Sequence, residues 1–262
     1  MNIKLNGNNA LVGGSTKGLG LAIAKQLAEC GANVTLMARN EDELKIRLTE
    51  LSTADHQKHE YLVVDFNDFE AAKISISQFF ENHNIDILVN NTNGPKPGTV
   101  LEKSLSDYQE AFNLLFQIHN HTTELALPNM IKNKWGRIIN VSSSSVKEPI
   151  NNLGLSNTIR TALVSWSKSL SQNIAQHNIT VNSILTGTFD TERIHQLNKS
   201  QAEKEGISEQ EVLQKRIDAI PAKRLGKPEE YGYLAAFLAS DYAAYLTGTT
   251  IPLDGGNMKS IL

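Results

Sequence analysis

The stretch Gly13-Gly14-Ser15-Thr16-Lys17-Gly18-Leu19-Gly20 follows the apolar run Ala10-Leu11-Val12 and leads into Leu21-Ala22-Ile23-Ala24-Lys25-Gln26-Leu27-Ala28. A short strand, a glycine turn and a helix make the opening of a βαβ unit that binds a dinucleotide. The glycines let the backbone turn tightly and approach a pyrophosphate, whose charge is met by the N–H groups of the helix start. A second apolar strand, Val34-Thr35-Leu36-Met37, falls where the unit needs its parallel partner. Gly14, Ser15, Thr16, Lys17, Gly18, Leu19 and Gly20 are therefore the first candidate cofactor contacts.

Outward from this unit, strand-like runs alternate with helical ones. Strands are expected at 9–12, 33–38, 60–65, 85–90, 136–142, 180–185 and 250–253, and helices near 19–30, 41–53, 68–83, 106–133, 155–176 and 228–239. That alternation predicts one α/β Rossmann-fold domain, a doubly wound seven-stranded parallel sheet with helices on both faces. One long insertion, 186–225, carries a charged helical stretch at Gln201–Glu211. Ligands of open α/β sheets bind beyond the carboxyl ends of the strands, so this insertion is expected to be a lid over a substrate.

The chain has 262 residues, net charge −3 and 40% hydrophobic residues. The near-neutral charge gives no footprint for nucleic acid or an anionic membrane. No apolar run reaches the roughly 20 residues that span a bilayer, and the first residues lack the apolar core of a signal peptide. The single cysteine, Cys30, suits a reducing compartment and reads as core filler. The expectation is a soluble cytoplasmic protein. His119 and His121 stand two apart, on different faces of a helix, and no metal is expected there.

Further segments carry a family likeness: Asn90-Asn91-Thr92-Asn93-Gly94, Asn113, Gly136-Arg137-Ile138-Ile139-Asn140-Val141-Ser142-Ser143, Asn182-Ser183-Ile184-Leu185-Thr186-Gly187, and the closing Leu246-Thr247-Gly248 to Asp254-Gly255-Gly256. Together they resemble the short-chain dehydrogenase/reductase family, especially its 3-oxoacyl-[acyl-carrier-protein] reductase-like members. The resemblance implies that Gly14, Gly18 and Gly20 line the cofactor turn and that Gly13 stands where threonine is usual. It puts Asp65, with its neighbour Phe66, at the adenine ring and Asn91 beside the adenosine ribose. Gly187 and Thr191 fall at the nicotinamide end, with Thr186 where a proline is usual. It also implies a homo-oligomer, a dimer or tetramer, in which Phe112, Leu115, Phe116 and Trp166 are either interface or core.

An NAD-selective site needs a carboxylate at the end of the second strand for the ribose 2′-hydroxyl. Here Ala38 is followed by Arg39, and Lys17 lies in the glycine turn close by. Two cations and no acid suit a 2′-phosphate, so the expected cofactor is NADP rather than NAD.

Family members reduce a carbonyl by hydride transfer while a tyrosine supplies the proton and a lysine four residues later assists it. In this chain Ser143 takes the place of the carbonyl-polarising serine and Asn113 that of the asparagine. The Tyr-x-x-x-Lys pair is missing: Ser156 and Arg160 occupy its places. A serine hydroxyl is a far weaker acid than a phenol, and a guanidinium keeps its proton. Three accounts follow. The protein is an NADP(H)-dependent reductase of a 3-oxoacyl thioester or other ketone with a substitute acid, for which a partly desolvated Lys147 is the candidate. Or Ser143, Ser156 and water supply hydrogen bonds to a less demanding carbonyl. Or the fold binds a dinucleotide without turnover, as a sensor or structural partner.

Overall fold

The computed structural model describes residues 2–261. Among them, seven parallel strands form one sheet: β1 (Asn9–Gly13), β2 (Asn33–Ala38), β3 (Glu60–Val63), β4 (Ile87–Asn90), β5 (Gly136–Val141), β6 (Ile179–Thr186) and β7 (Thr250–Leu253). Their order across the sheet is β3-β2-β1-β4-β5-β6-β7. The chain leaves β1 towards one edge and returns through β3 to β4, so the winding reverses between β1 and β4. A crevice opens at that switch point, beyond the carboxyl ends of the strands.

Among the described residues, nine α-helices cover the sheet: α1 (Gly18–Glu29), α2 (Glu41–Leu48), α3 (Phe69–Phe80), α4 (Leu105–Phe112), α5 (Ile118–Asn133), α6 (Gly154–Ile174), α7 (Glu192–Glu205), α8 (Glu209–Ala219) and α9 (Pro228–Ala239). Side chains alternate across each strand, and β1 shows the result. Ala10 and Val12 join one core with α1 and α9, while Leu11 joins the other with α3, α5 and α6. Buried asparagines tie the layers together. Asn90 of β4 donates to Thr123 of α5 at 3.1 Å and to Asn140 of β5 at 2.8 Å, and Asn140 donates to Ser167 of α6 at 2.8 Å. These buried asparagine amides are thereby satisfied rather than stranded.

Three expectations need correction. The helix expected at 106–133 is two helices joined by a π turn at Asn113–Gln117, in which the Ile118 N–H reaches back to the Asn113 carbonyl. An apolar period cannot show one extra residue in a turn, and π turns are frequent at functional sites. The helical stretch at 201–211 is likewise two helices. Gly206, at φ +67°, ends α7 in the left-handed conformation, and Ser208 opens α8 with Glu211 as its reciprocal cap. The helix expected at 41–53 stops at Leu48. Of the four residues left between core and interface, Leu115 is core. Phe112, Phe116 and Trp166 pack on one another, with ring centroids 4.9 and 5.9 Å apart along the series.

Candidate active site

The glycine turn closes the crevice from one side. Gly14 and Gly18 have φ of +57° and +54°, where a Cβ is strained. Gly20 is required for closeness instead: a Cβ there would run into the Gly14 carbonyl oxygen and stand 2.9 Å from Asn91 Nδ2. Asn91, directly after β4, donates that amide to the Gly13 carbonyl at 2.9 Å, pinning the turn across the switch point.

Two helix starts meet here. The N-cap of α1 is Lys17 and that of α7 is Thr191, and neither side chain caps its helix. The Thr191 methyl would lie 3.4 Å from a Cβ on Gly18, so the two starts nearly touch. Uncapped N–H groups at two helix starts suit phosphate oxygens. A Cβ at Gly187 would strike Asp254, which draws the end of β6 against the end of β7.

The other candidate cofactor residues are distributed unevenly. Arg39 is exposed just after β2, where no carboxylate follows Ala38. Lys17 lies in the turn, its Nζ 3.0 Å from Glu192 of α7. Ser15 is fully buried, and its hydroxyl accepts the Met37 N–H at 2.9 Å, leaving only backbone for a ligand. Thr16 is half-buried in the turn, and Leu19 packs on the core beneath it. Asp65 is exposed and accepts from the Asn67 backbone and side chain. The Phe66 side chain is core, packed with Ile76 and Leu88.

The expected reacting groups gather at the carboxyl end of β5. Ser143 is half-buried and caps a short 3-10 turn, accepting the Ser145 N–H at 3.2 Å. Lys147 ends that turn, half-buried. Ser156 and Arg160 are buried on one face of α6, one helical turn apart. Arg160 Nη1 donates to the Val141 carbonyl at 2.6 Å, which sets the guanidinium beside the strand end that Ser143 follows. Asn113 begins the π turn, but its side-chain oxygen already accepts from Gln109 and Gln117 at 2.8 and 2.6 Å. Its backbone and its side-chain Nδ2 are left to offer.

Two residues near this point have a burial that the sequence pattern does not show. Tyr231 of α9 is fully buried, 3.0 Å from the Thr186 hydroxyl, so a phenol fills the room beside the position where a proline is usual. Burial pushes its ionisation up, and the Arg160 charge opposes that only in part. His119 of α5 is also buried. Loss of hydration, and then the Arg160 charge, push its pKa down to about 3, and the Leu115 carbonyl makes no well-formed hydrogen bond to the ring. Both residues are neutral at physiological pH. Burial likewise lowers the Arg160 pKa, to about 10, which leaves it cationic.

Two loops wall the cleft and are joined to each other. The Gly98 N–H donates to the Asn152 carbonyl at 2.7 Å, and the Gly154 N–H donates to the Gly98 carbonyl at 3.0 Å. Glu148 in the second loop accepts the backbone N–H groups of Lys259 and Ser260, both at 2.6 Å, which brings the tail of the chain alongside.

Comparison with known proteins agrees with this architecture. Residues 14–257 match a family model described as enoyl-(acyl carrier protein) reductase. The chain is 35% identical over 256 residues to the NADPH-dependent reductase BacG of Bacillus subtilis, covering 96% of this chain and 98% of that protein. It is 32% identical over 259 residues to the 3-oxoacyl-[acyl-carrier-protein] reductase FabG of Aquifex aeolicus, covering 98% and 99%. The L-sorbose reductase of Gluconobacter frateurii, solved with NADPH and L-sorbose, superposes over the whole of both chains with a TM-score of 0.92 and 28% identity. Among the described residues, no helix is long and apolar enough to cross a membrane.

Proposed function

The chain belongs to the short-chain dehydrogenase/reductase family, and from that premise we propose that it is an NADP(H)-dependent reductase of small carbonyl compounds. The observation that carries this reading is the cradle at the switch point: a glycine turn that no Cβ could enter, two uncapped helix starts, and two cations where an NAD site would hold an acid. The relatives named above are NADPH-dependent or carbonyl-reducing proteins by description, which supports the same reading.

The residues present fit such a cofactor. Gly14, Gly18 and Gly20 would admit the pyrophosphate, Lys17 and Arg39 would hold the 2′-phosphate, Asn91 would border the adenosine ribose, and Gly187 and Thr191 the nicotinamide end. When bound, the cofactor supplies a hydride. This chain's own groups then polarise the acceptor: Ser143 and Ser156 as hydrogen-bond donors, Arg160 as a fixed positive charge, and Lys147 from the loop above. Neither serine nor arginine replaces a phenol as proton donor, so the site is atypical for its family. We further propose that residues 186–225 cover the substrate, because α7 starts against the glycine turn.

The test has two steps. NADPH fluorescence on titration of the folded protein reads binding, with NADH as the comparison. Oxidation of NADPH against β-ketoacyl thioesters, diketones and sugar ketones reads turnover. Tighter binding of NADPH than NADH, with turnover of at least one probe, is expected. Binding with no turnover across a wide panel favours the non-catalytic reading that the missing tyrosine suggests.

A further inference from the structure

A cavity of about 310 Å³ lies at the β6–β7 edge of the sheet, walled by the middle of α6, by β6 and by the turn that enters β7. None of the residues assigned above to the cofactor or to the reacting groups lines it. Its floor is polar. Ser183 of β6 stands in register with Thr250 of β7, and side-chain alternation puts Ser183 on the face of Val181, which packs with Ile159 and Ile174 of α6. Ser183 is 1% exposed, and its hydroxyl makes no hydrogen bond among the described residues. The buried serines of α6 differ: Ser167 donates to the Leu163 carbonyl at 2.6 Å and Ser171 to the Lys168 carbonyl at 2.7 Å. A buried hydroxyl left without a partner costs about 1–3 kcal/mol. Ser183 keeps one by opening on a cavity whose occupant can supply it.

Lys168 brings the charge. Gly248, at φ +70°, gives its N–H to the Val181 carbonyl at 2.7 Å, which fixes the turn against β6. A Cβ on Gly248 would lie 3.0 Å from Lys168 Nζ, so the end of this side chain rests over the turn at the mouth of the cavity. Its ammonium makes no ion pair among the described residues, and no carboxylate lines the cavity. The hydroxyls of Ser165 and Thr250, also in the lining, make no hydrogen bond among the described residues.

An ammonium has three donors and no acceptor, and each hydroxyl has one donor to give. A cation and unpartnered hydroxyls with no acid among them are completed by a ligand that brings negative charge and acceptors. The donors approach from three directions: Lys168 from the turn, Ser165 from α6, and Ser183 with Thr250 from the sheet. A tetrahedral oxyanion presents an oxygen to each direction, whereas a planar carboxylate serves two. The volume is at the small end of the roughly 300–1,000 Å³ typical of small-molecule sites, which leaves room for a few carbons beside a phosphate.

We propose that this cavity binds the phosphate group of a small ligand, with Lys168 as its counter-charge and Ser183 and Thr250 as donors from the sheet. The site shares no residue with the crevice at the switch point, so it stands or falls apart from the NADP(H) reading.

The test uses backbone amide NMR of the deuterated full chain, titrated at constant ionic strength with inorganic phosphate, glycerol 1-phosphate and acetate. Amides at 248–250 report the cavity, and those at 18–20 report the glycine turn, where phosphate has a second place to bind. Saturable shifts at 248–250 are expected with both phosphates at millimolar concentration, and at least tenfold weaker ones with acetate. Lys168→Gln and Ser183→Ala should each weaken phosphate there by at least tenfold, the loss of one hydrogen bond to a charged group. Neither should alter the response at 18–20, and Lys168→Arg should keep the binding. Thermal unfolding confirms that the variants are folded. Equal affinity for the two phosphates assigns the site to free phosphate, and tighter binding of the ester assigns it to a phosphate monoester. Absence of saturable shifts at 248–250, shifts that persist in both Lys168→Gln and Ser183→Ala, or acetate binding as tightly as phosphate overturns the proposal.

Discussion

The ammonium group of Lys17, in the glycine turn, lies 3.0 Å from the carboxylate of Glu192, 175 residues later at the start of α7. Both side chains are more than half exposed, so the pair adds little to stability. Its weight falls on binding, because Glu192 neutralises a charge that a 2′-phosphate would otherwise meet. Glu192→Gln is expected to tighten NADPH by about two- to fivefold, the fold-change of roughly 0.4–1 kcal/mol. NADH affinity should not change. Titrations of both cofactors check this, and 0.5 M salt should shrink the difference.

Arg39 follows Ala38 at the end of β2, where it is exposed and makes no ion pair among the described residues. Its planar fork suits bidentate contact with a phosphate. Arg39→Ala is expected to weaken NADPH by about tenfold and NADH by less than twofold, narrowing the preference between them. Calorimetry with each cofactor reads the ratio. An equal loss for both would remove Arg39 from the 2′-phosphate.

Gly20 is the position where side-chain bulk meets two fixed partners, the Gly14 carbonyl and the Asn91 amide. Gly20→Ala forces the turn away from α1 and is expected to cost about 1–3 kcal/mol of stability. It should also abolish dinucleotide binding. Urea unfolding and NADPH fluorescence measure the two effects. A variant that keeps its midpoint yet loses binding places the whole effect in the cradle.

His119 makes stability pH-dependent. Its pKa is about 3 in the folded protein and near 6.5 when unfolded, so between these values the unfolded chain binds the extra proton. The contribution of the neutral ring is complete above about pH 6.5 and is lost as pH falls towards 3, at up to about 1.4 kcal/mol per pH unit. His119→Leu should flatten the urea midpoint between pH 4 and 6.5 by one proton's worth of slope.

The parts legible in the sequence were those set by local chemistry. The glycine turn, the alternation of strand and helix, and the missing acid after Ala38 each depend on neighbours a few residues away. The π turn at Asn113 was not legible, because one added residue leaves the apolar period nearly intact. The break between α7 and α8 was written in the chain, as Gly206 followed by Ser208 and Glu211, but the run of charged residues around it reads as one helix. Pairs such as Lys17 with Glu192, or Tyr231 with Thr186, exist only once the sheet has brought distant strand ends together. Burial was hidden in the same way. Nothing near Ser15 or Phe66 shows that the sheet takes in their side chains and leaves the ligand only backbone.

The hydrogen bonds that Gly98 makes with Asn152 and Gly154 couple the two loops flanking the cleft into a single plank. Neither can swing outward without surrendering a backbone partner, which resists widening on that side. If residues 186–225 cover the substrate as proposed, the movable side is the opposite doorway, where the start of α7 meets the glycine turn through an exposed charge pair. Opening and shutting would be governed there by ionic strength, a dial that the hydrogen-bonded side does not possess.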